Sequence, residues 1–515
     1  MSGGTSSVVG REILRSNLRA IADDMSVALE HNSPSPAVSE ARDYAVAFTS
    51  AAGEVVVADN AVHVPSLAMT ARAILDFFEF NLRPGDLVVT NDPYSGGTHT
   101  QDLTVFAPVY AHGELVGGLL TRVRVPDFGG QVAGGCNPSA LELWAEGVRL
   151  RPVKLARSGR IDKDVHQTVL LNTRLPAEVD GLLDAMRSSL DLGQQRVARL
   201  VSRHGVERLA EGMEYALAYS NLAARAALRG WPSATFEGEA RVPHDCTGRA
   251  PVVRARLTAH DGELTIDLSG SDAQSASFVN SAWGSTCGSA LLPVAALLGP
   301  DVPIDSGLLR AIHFRGADGT IVRPAYPAAV GWGPMHPGRE IVNAVSAAIA
   351  RATGVRLPAV APQALATCCF AGYRILAVDG LVFAGAGGAN GGSGWGPAGY
   401  FARRRLLSVE RSEMAFPEIL VRALELTGPS PPPQAGVGAP GVELAVALRA
   451  SARITAWVAA AEGAAAGDHG GPRFAIAGED GRTAAHTVCV DRRVAPGVLT
   501  LRTAAGPPTI PGGAT

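Results

Sequence analysis

The stretch Asn91-Asp92-Pro93-Tyr94-Ser95-Gly96-Gly97-Thr98-His99-Thr100-Gln101-Asp102 constrains this chain more than any other. An apolar, strand-like run, Asp86 to Thr90, leads into it, and a second, Leu103 to Tyr110, leaves it. A proline and two adjacent glycines between two buried strands demand a sharp turn, because glycine takes positive φ without a Cβ penalty. A turn carried by buried strands is where a scaffold holds reacting groups. His99 stands three residues before Asp102, and an imidazole with a carboxylate suits divalent manganese, iron or zinc. The same pair also suits an ordinary hydrogen bond, and spacing alone does not separate the two.

Composition narrows the function classes. With 515 residues and 53.1 kDa, the chain has room for roughly two to four domains. Its 47% hydrophobic and 18% charged residues describe a packed protein. A formal net charge of −3 offers no electrostatic basis for a nucleic-acid partner. Lys154 and Lys163 are the only lysines, and neither follows Gly nor precedes Ser or Thr, so the chain has no phosphate-binding P-loop of its own. The cysteines (136, 246, 287, 368, 369 and 489) show no C-x-x-C spacing, which argues against a zinc ribbon or a disulfide framework. No stretch reads as a secretion signal or a membrane span, so a reducing cytoplasm is expected.

Leu14, Leu18, Ile21, Met25 and Leu29 recur at helical spacing and predict an amphipathic helix ending before Asn32. A hairpin (43–48 with 54–58), a helix from about Ser66 to Phe80, and a further strand, Leu115 to Val125, follow. That strand empties into a second glycine-supported turn, Pro126-Asp127-Phe128-Gly129-Gly130. Asp43, His99, Asp102 and Asp127 thus all stand at predicted strand ends. The expected fold class is α+β, with mixed sheets and a helical insertion. The expected organisation is a β-rich region over 1–137 carrying the site, a helical region over 138–235 and an α+β region over 236–427. A Pro/Gly linker over 428–441 and a small β-rich piece over 442–515 with a disordered tail complete it. The glycine-rich segment 383–400 reads as a turn cluster near a pocket, with Trp395 inside it.

Together these stretches resemble the hydantoinase B family, the B subunits of N-methylhydantoinases and 5-oxoprolinases, which are similar to a large subunit of acetone and acetophenone carboxylases. The likeness rests on Asn91 to Tyr94 with Gly96 to His99 and Asp102, then Asp127 to Gly130 and Glu146 to Leu155. It continues through Asp267 to Gly270, Asp301 to Pro303 and Arg323 to Ala329, and reaches Gly470-Gly471. The resemblance implies an A-type partner subunit of ATPase fold that phosphorylates a cyclic amide oxygen or a related ketone substrate. It also implies a divalent metal (Mn, Zn or Fe) on this chain, with ATP bound only by the partner in a hetero-oligomer. In that scheme His99, Asp102 and Asp127 are the metal ligands, Asp43 is a further ligand or the base, and Asp92 and Arg124 complete the catalytic set.

The chain departs from the family's pattern at informative places. Where the family reads His-His-x-Asp-x-Gly-Gly, this sequence has Arg124-Val125-Pro126-Asp127-Phe128-Gly129-Gly130. Pro65 stands where a histidine is usual, with His63 two residues away, and His336 stands where an acidic residue is usual. His63 and His336 are therefore the substitute ligands to consider. Arg124, always charged, is positioned to replace the cation and pair with Asp102 or Asp127. Three readings follow: an ATP-dependent cyclic-amide hydrolase subunit, a subunit of an ATP-dependent carboxylase, and a metal-free scaffold for an A-type partner.

Overall fold

The computed structural model describes residues 8–79, 81–360, 364–382, 405–427, 441–458, 472–478 and 483–503. The expectations for the glycine-rich segment 383–400, the Gly470-Gly471 region and the tail after Ala504 lie outside them.

The chain opens on helix α1 (Val8–Asn32), whose Leu14, Leu18, Ile21, Met25 and Leu29 are all buried, as their spacing predicts. A short turn of helix, α2 (Pro36–Ser39), leads into strands β1 (Tyr44–Ser50) and β2 (Val55–Ala58), and helix α3 (Val64–Phe78) follows. Strands β3 (Leu87–Thr90), β4 (Asp102–Ala111), β5 (Glu114–Arg124), β6 (Val153–Arg157) and β7 (Arg160–Ile161) complete a seven-stranded sheet in the order β2-β1-β5-β4-β3-β6-β7.

Both faces of this sheet are covered, and the alternation along each strand shows how. Val46, Phe48, Val105 and Leu119 face the core that α1 shares with the long helix α5 (Pro176–His204). Ala45, Ala47, Phe106 and Leu120 face α3 through Leu67, Ala71 and Ile74. A strand buried on both sides reads as a continuous apolar run, which is why these segments stand out in the sequence.

Helices α4 (Lys163–Leu171), α5 and α6 (Val206–Leu228) form the helical insertion. It is shorter than the expected 138–235, because β6 and β7 return to the first sheet. Strands β8 (Thr235–Arg241), β9 (Val252–His260), β10 (Glu263–Asp267) and β11 (Ile312–Arg315) form a second sheet. The apolar helix α7 (Trp283–Leu298), the short α8 (Ser306–Leu309) and α9 (Gly338–Thr353) belong to the same layer. Their shared core holds Leu257, Ile266, Leu291, Val345 and Trp332.

Strands on the two sides of the expected boundary at 428–441 pair with one another. Of that segment only Gly441 is described. Strand β12 (Leu365–Phe370), paired with β13 (Arg374–Ala377), lies before it. A short helix, α10 (Val409–Ala415), and β14 (Ile419–Thr427) follow on the same side; β15 (Gly441–Leu448) and β16 (Ala452–Trp457) come after. Yet β14 pairs with β15, and β12 pairs with β16. The remaining strands, β17 (Arg473–Gly478), β18 (Thr483–His486), β19 (Val488–Val494) and β20 (Gly497–Arg502), join the same two sheets. Proline and glycine tell where a chain leaves a strand, whereas strand partners are chosen by burial between distant segments. The fold is α+β with several mixed layers. Among the described residues no helix is long and apolar enough to cross a membrane.

Candidate active site

Strand order brings the site together. β1, β5 and β4 are neighbours, and one end of each meets the others: Asp43 precedes β1, Arg124 ends β5, and Asp102 begins β4. Asp102 and Arg124 are direct cross-strand partners, and the Arg124 amide donates to the Asp43 carbonyl at 3.1 Å. β2 runs antiparallel beside β1, so the turn that follows it, Ala61–His63, comes to the same end. The result is a small cavity of about 70 Å³ lined by Asp43, His63, His99, Asp102 and Arg124, with Ser285 of α7 and Met335 closing it. That volume admits a few waters or the reacting end of a small ligand.

The turn bearing His99 is built by its glycines and by two side chains. Gly96 has φ 91°, and a Cβ there would meet the Thr70 amide of α3 at 2.5 Å. Asn91 donates to the carbonyls of Thr100 and Val148 and accepts from the Leu150 amide, tying both ends of the turn to the next strand. Asp92 accepts from the Tyr94 amide and the Ser95 hydroxyl and pairs with Arg149 at 3.2 Å. Asp92 does not line the cavity; its oxygens are occupied by the turn and by Arg149.

Asp127 is likewise held by a turn of its own. It is fully buried and accepts from the amides of Gly129, Gly134 and Arg174 and from the Arg174 guanidinium at 2.9 Å. All its acceptor capacity holds the second turn closed, and it does not line the cavity. Arg174, from the link between α4 and α5, is a partner that no local sequence pattern points to. His336 also stands apart: it is fully buried, with Nδ1 2.9 Å from Glu340 and its ring 4.8 Å from that of Trp457.

His99 and Asp102 do meet. His99 Nδ1 lies 3.3 Å from Asp102 Oδ2, without the alignment of a full hydrogen bond, and Thr98 Oγ1 donates to the same oxygen. Burial alone would raise the Asp102 pKa, but His99, with His63 and Arg122, reverses that and holds the carboxyl well below its usual range. His63 enters from the neighbouring turn with Nδ1 buried and without a hydrogen-bond partner. Burial first, then the charge of Arg122, pushes its pKa down to about 4.

Arg122 is the functional-site neighbour that the motif search missed. It is 1% exposed, beneath the cavity, and donates to Thr104, Ser66 and Thr70 hydroxyls at 2.8, 2.6 and 2.8 Å. Ser66 in turn donates to the His63 carbonyl at 2.9 Å, so the guanidinium helps fix the His63 turn. Its signal was available: a charged residue inside the otherwise uncharged strand Leu119 to Val123.

Two predictions follow from this packing. Gly288 of α7 lies against the His63 turn, where a Cβ would meet the Val62 carbonyl oxygen at 2.0 Å. Gly288→Ala is therefore expected to destabilise by about 1–3 kcal/mol, measured as a lowered urea midpoint; an unchanged midpoint would show that the turn yields freely. The second concerns pH. In the unfolded chain His63 takes up its proton near pH 6.5, but in the fold only near 4. Its contribution to stability is thus complete above pH 6.5 and is lost as pH falls toward 4, at up to about 1.4 kcal/mol per pH unit. His63→Gln should flatten the decline in Tm between pH 6.5 and 4, and equal slopes in both proteins would contradict the shift.

The described side chains do not assemble a metal centre. The expected set of His99, Asp102 and Asp127 is not assembled, because Asp127 is held in its own turn. Among the described residues no group of three or more His, Cys, Asp or Glu side chains is placed to hold a metal ion.

Comparison with known proteins agrees with the architecture. The family model for hydantoinase B/oxoprolinase matches residues 8–506. An uncharacterised protein of Methanocaldococcus jannaschii is 26% identical over 353 residues, 68% of this chain and 62% of that protein. Caprolactamase subunit beta of Pseudomonas jessenii is 27% identical over 425 residues, 80% of this chain and 73% of its own. 5-Oxoprolinase 1 of Arabidopsis thaliana is 24% identical over 67% of this chain, which spans only 29% of that longer protein. In fold, the crystal structure of the ATP-dependent caprolactamase from Pseudomonas jessenii superimposes with a TM-score of 0.88 at 24% identity, over 98% of this chain and 91% of that one. A nucleotide-free acetone carboxylase gives 0.84 at 16%, over 97% and 75%. With its full-length family match and the fold it shares, this chain belongs to the hydantoinase B/oxoprolinase family.

Proposed function

We propose that this chain is the B-type subunit of an ATP-dependent cyclic-amide hydrolase and works with an A-type ATPase subunit. The observation that carries the reading is the His99–Asp102 pair, lining one small cavity with Arg124, in a chain that matches the family almost throughout. The naming of a relative as caprolactamase subunit beta supports a multi-subunit enzyme, and the lack of a P-loop lysine fits nucleotide chemistry on a partner.

The chemistry proceeds in order. The partner transfers phosphoryl from ATP to the amide oxygen, which makes the ring carbon a better electrophile. Water then attacks that carbon, a C–O bond forms, and His99, oriented by Asp102, takes the proton. Collapse of the tetrahedral adduct breaks the ring C–N bond, and the nitrogen receives the proton held by His99. The acyl phosphate that remains is hydrolysed by a second water to a carboxylate and inorganic phosphate. Asp43, whose Oδ2 is 3.9 Å from Arg124, keeps the guanidinium facing the cavity.

The test is reconstitution with an A-type subunit, following ADP release and ring opening of 5-oxoproline, hydantoin and caprolactam. ATP-dependent opening of any of these supports the reading. The acetone carboxylase likeness favours one second reading, carbon–carbon bond formation. ADP release that requires bicarbonate and a ketone would replace the first reading with it. A complex that forms but turns over none of these would leave a metal-free scaffold for the ATPase.

A further inference from the structure

Among the described residues no three of the donors around the cavity are placed to hold a metal ion, but the cavity already contains a cation. Arg124 ends β5 with its side chain 17% exposed. Burial works against its charge, and Cys136 with the carboxylates of Asp43, Asp379 and Asp102 more than offsets this, so the guanidinium stays charged. Cys136 itself is pushed up to about 11 by burial, so near neutral pH it is a thiol and the carboxylates supply the balancing charge.

The donors of Arg124 are largely unused. A guanidinium carries five N–H donors. Among the described residues the one acceptor within hydrogen-bond reach is Cys136 Sγ at 3.6 Å, a weak one. Asp43 Oδ2 at 3.9 Å is close enough for attraction but too far for a hydrogen bond. A half-buried arginine that lines a cavity, with one weak acceptor within hydrogen-bond reach among the described residues, is arranged to meet a ligand oxygen. A divalent ion beside it would be repelled by the same charge.

We propose that Arg124 is the resident cation of this pocket: the site takes no divalent metal, and its unused N–H donors bind the ligand oxygen on which negative charge develops. The substrate class, a small amide or its phosphorylated form, rests on the proposed function; the exclusion of metal does not.

The experiment uses the full chain purified without chelator. Metal content is measured by plasma mass spectrometry, and Tm is measured with and without added Mn²⁺, Zn²⁺ or Fe²⁺. The wild type is expected to carry no stoichiometric metal and to show no metal-dependent Tm shift. Arg124→His, which adds an imidazole beside His99 and Asp102, is expected to gain a rise in Tm with metal. Near-stoichiometric metal in the wild type that His99→Ala removes would overturn the proposal, and this measurement stands even if Arg124→His does not fold. A folded Arg124→His that remains indifferent to metal would overturn the claim that the guanidinium excludes the ion.

The oxygen-binding half is read in the reconstituted enzyme. Arg124→Gln should lower kcat about 10²–10³-fold with little change in KM, and Arg124→Lys should restore part of the loss. An unchanged kcat in Arg124→Gln would overturn that half. Because the metal measurements need no turnover, failure of the ring-opening assay and failure of metal exclusion are separate results.

Discussion

His99→Ala is expected to lower ATP-dependent turnover about 10²–10⁴-fold while leaving the fold intact. The side chain is 5% exposed, yet its buried Nδ1 makes no aligned hydrogen bond, so its removal leaves a small cavity rather than a broken network. Asp102→Asn should cost a similar order of activity, since an amide beside Nδ1 no longer fixes the imidazole for proton uptake. The pH dependence carries a sign. Asp102 is held below the ordinary carboxylate range, so it stays ionised throughout mildly acidic solution, and protonation of this group should add no acid limb there. Measured kcat/KM against pH, together with circular dichroism of the variants, checks both statements. A His99→Ala enzyme with wild-type turnover would remove this pair from the chemistry.

Asp127→Ala is expected to behave in the opposite way, with a loss of about 3–5 kcal/mol in stability. Asp127 is fully buried and is the anchor for three amides and for Arg174, whose guanidinium also donates to the carbonyls of Gly129 and Gly130. Removing the carboxylate strands a partly buried cation and three backbone donors at once. Gly129 and Gly130, with φ of 80° and 83°, give the turn a shape that favours glycine. Urea denaturation reads the loss. The fraction that remains folded at low temperature should retain its activity, because the residue does not face the cavity. A variant of unchanged stability with no activity would return Asp127 to the reacting groups.

Much of the fold was legible in the chain. The apolar stripe of α1, the double-faced strands β1, β4 and β5, and α3 each fall within a few residues of their predicted limits. In the structure His99, Asp102, Asp43 and Arg124 line one cavity, a convergence that their positions at strand ends did not by themselves show. Asp92 and Asp127, also expected in the site, lie outside the cavity and are bonded within their turns. Both stand beside glycine turns, and a carboxylate in such a turn reads alike whether it faces a ligand or closes the loop.

By itself, the sequence determined the periodicities, the sharp turns and the family, because these depend on residues close together in the chain or on motifs preserved as strings. Tertiary structure alone decided which strand ends share a cavity. The order β2-β1-β5-β4-β3 puts Asp43 beside Arg124 although 80 positions separate them, and it delivers His63 and Arg122 to the same place. It also decided which carboxylates were already committed, because the donors that occupy Asp92 and Asp127 include Arg149 and Arg174 from distant segments. Strand pairing and acceptor saturation are long-range properties, fixed by burial and hydrogen bonding between parts of the chain that no local pattern connects.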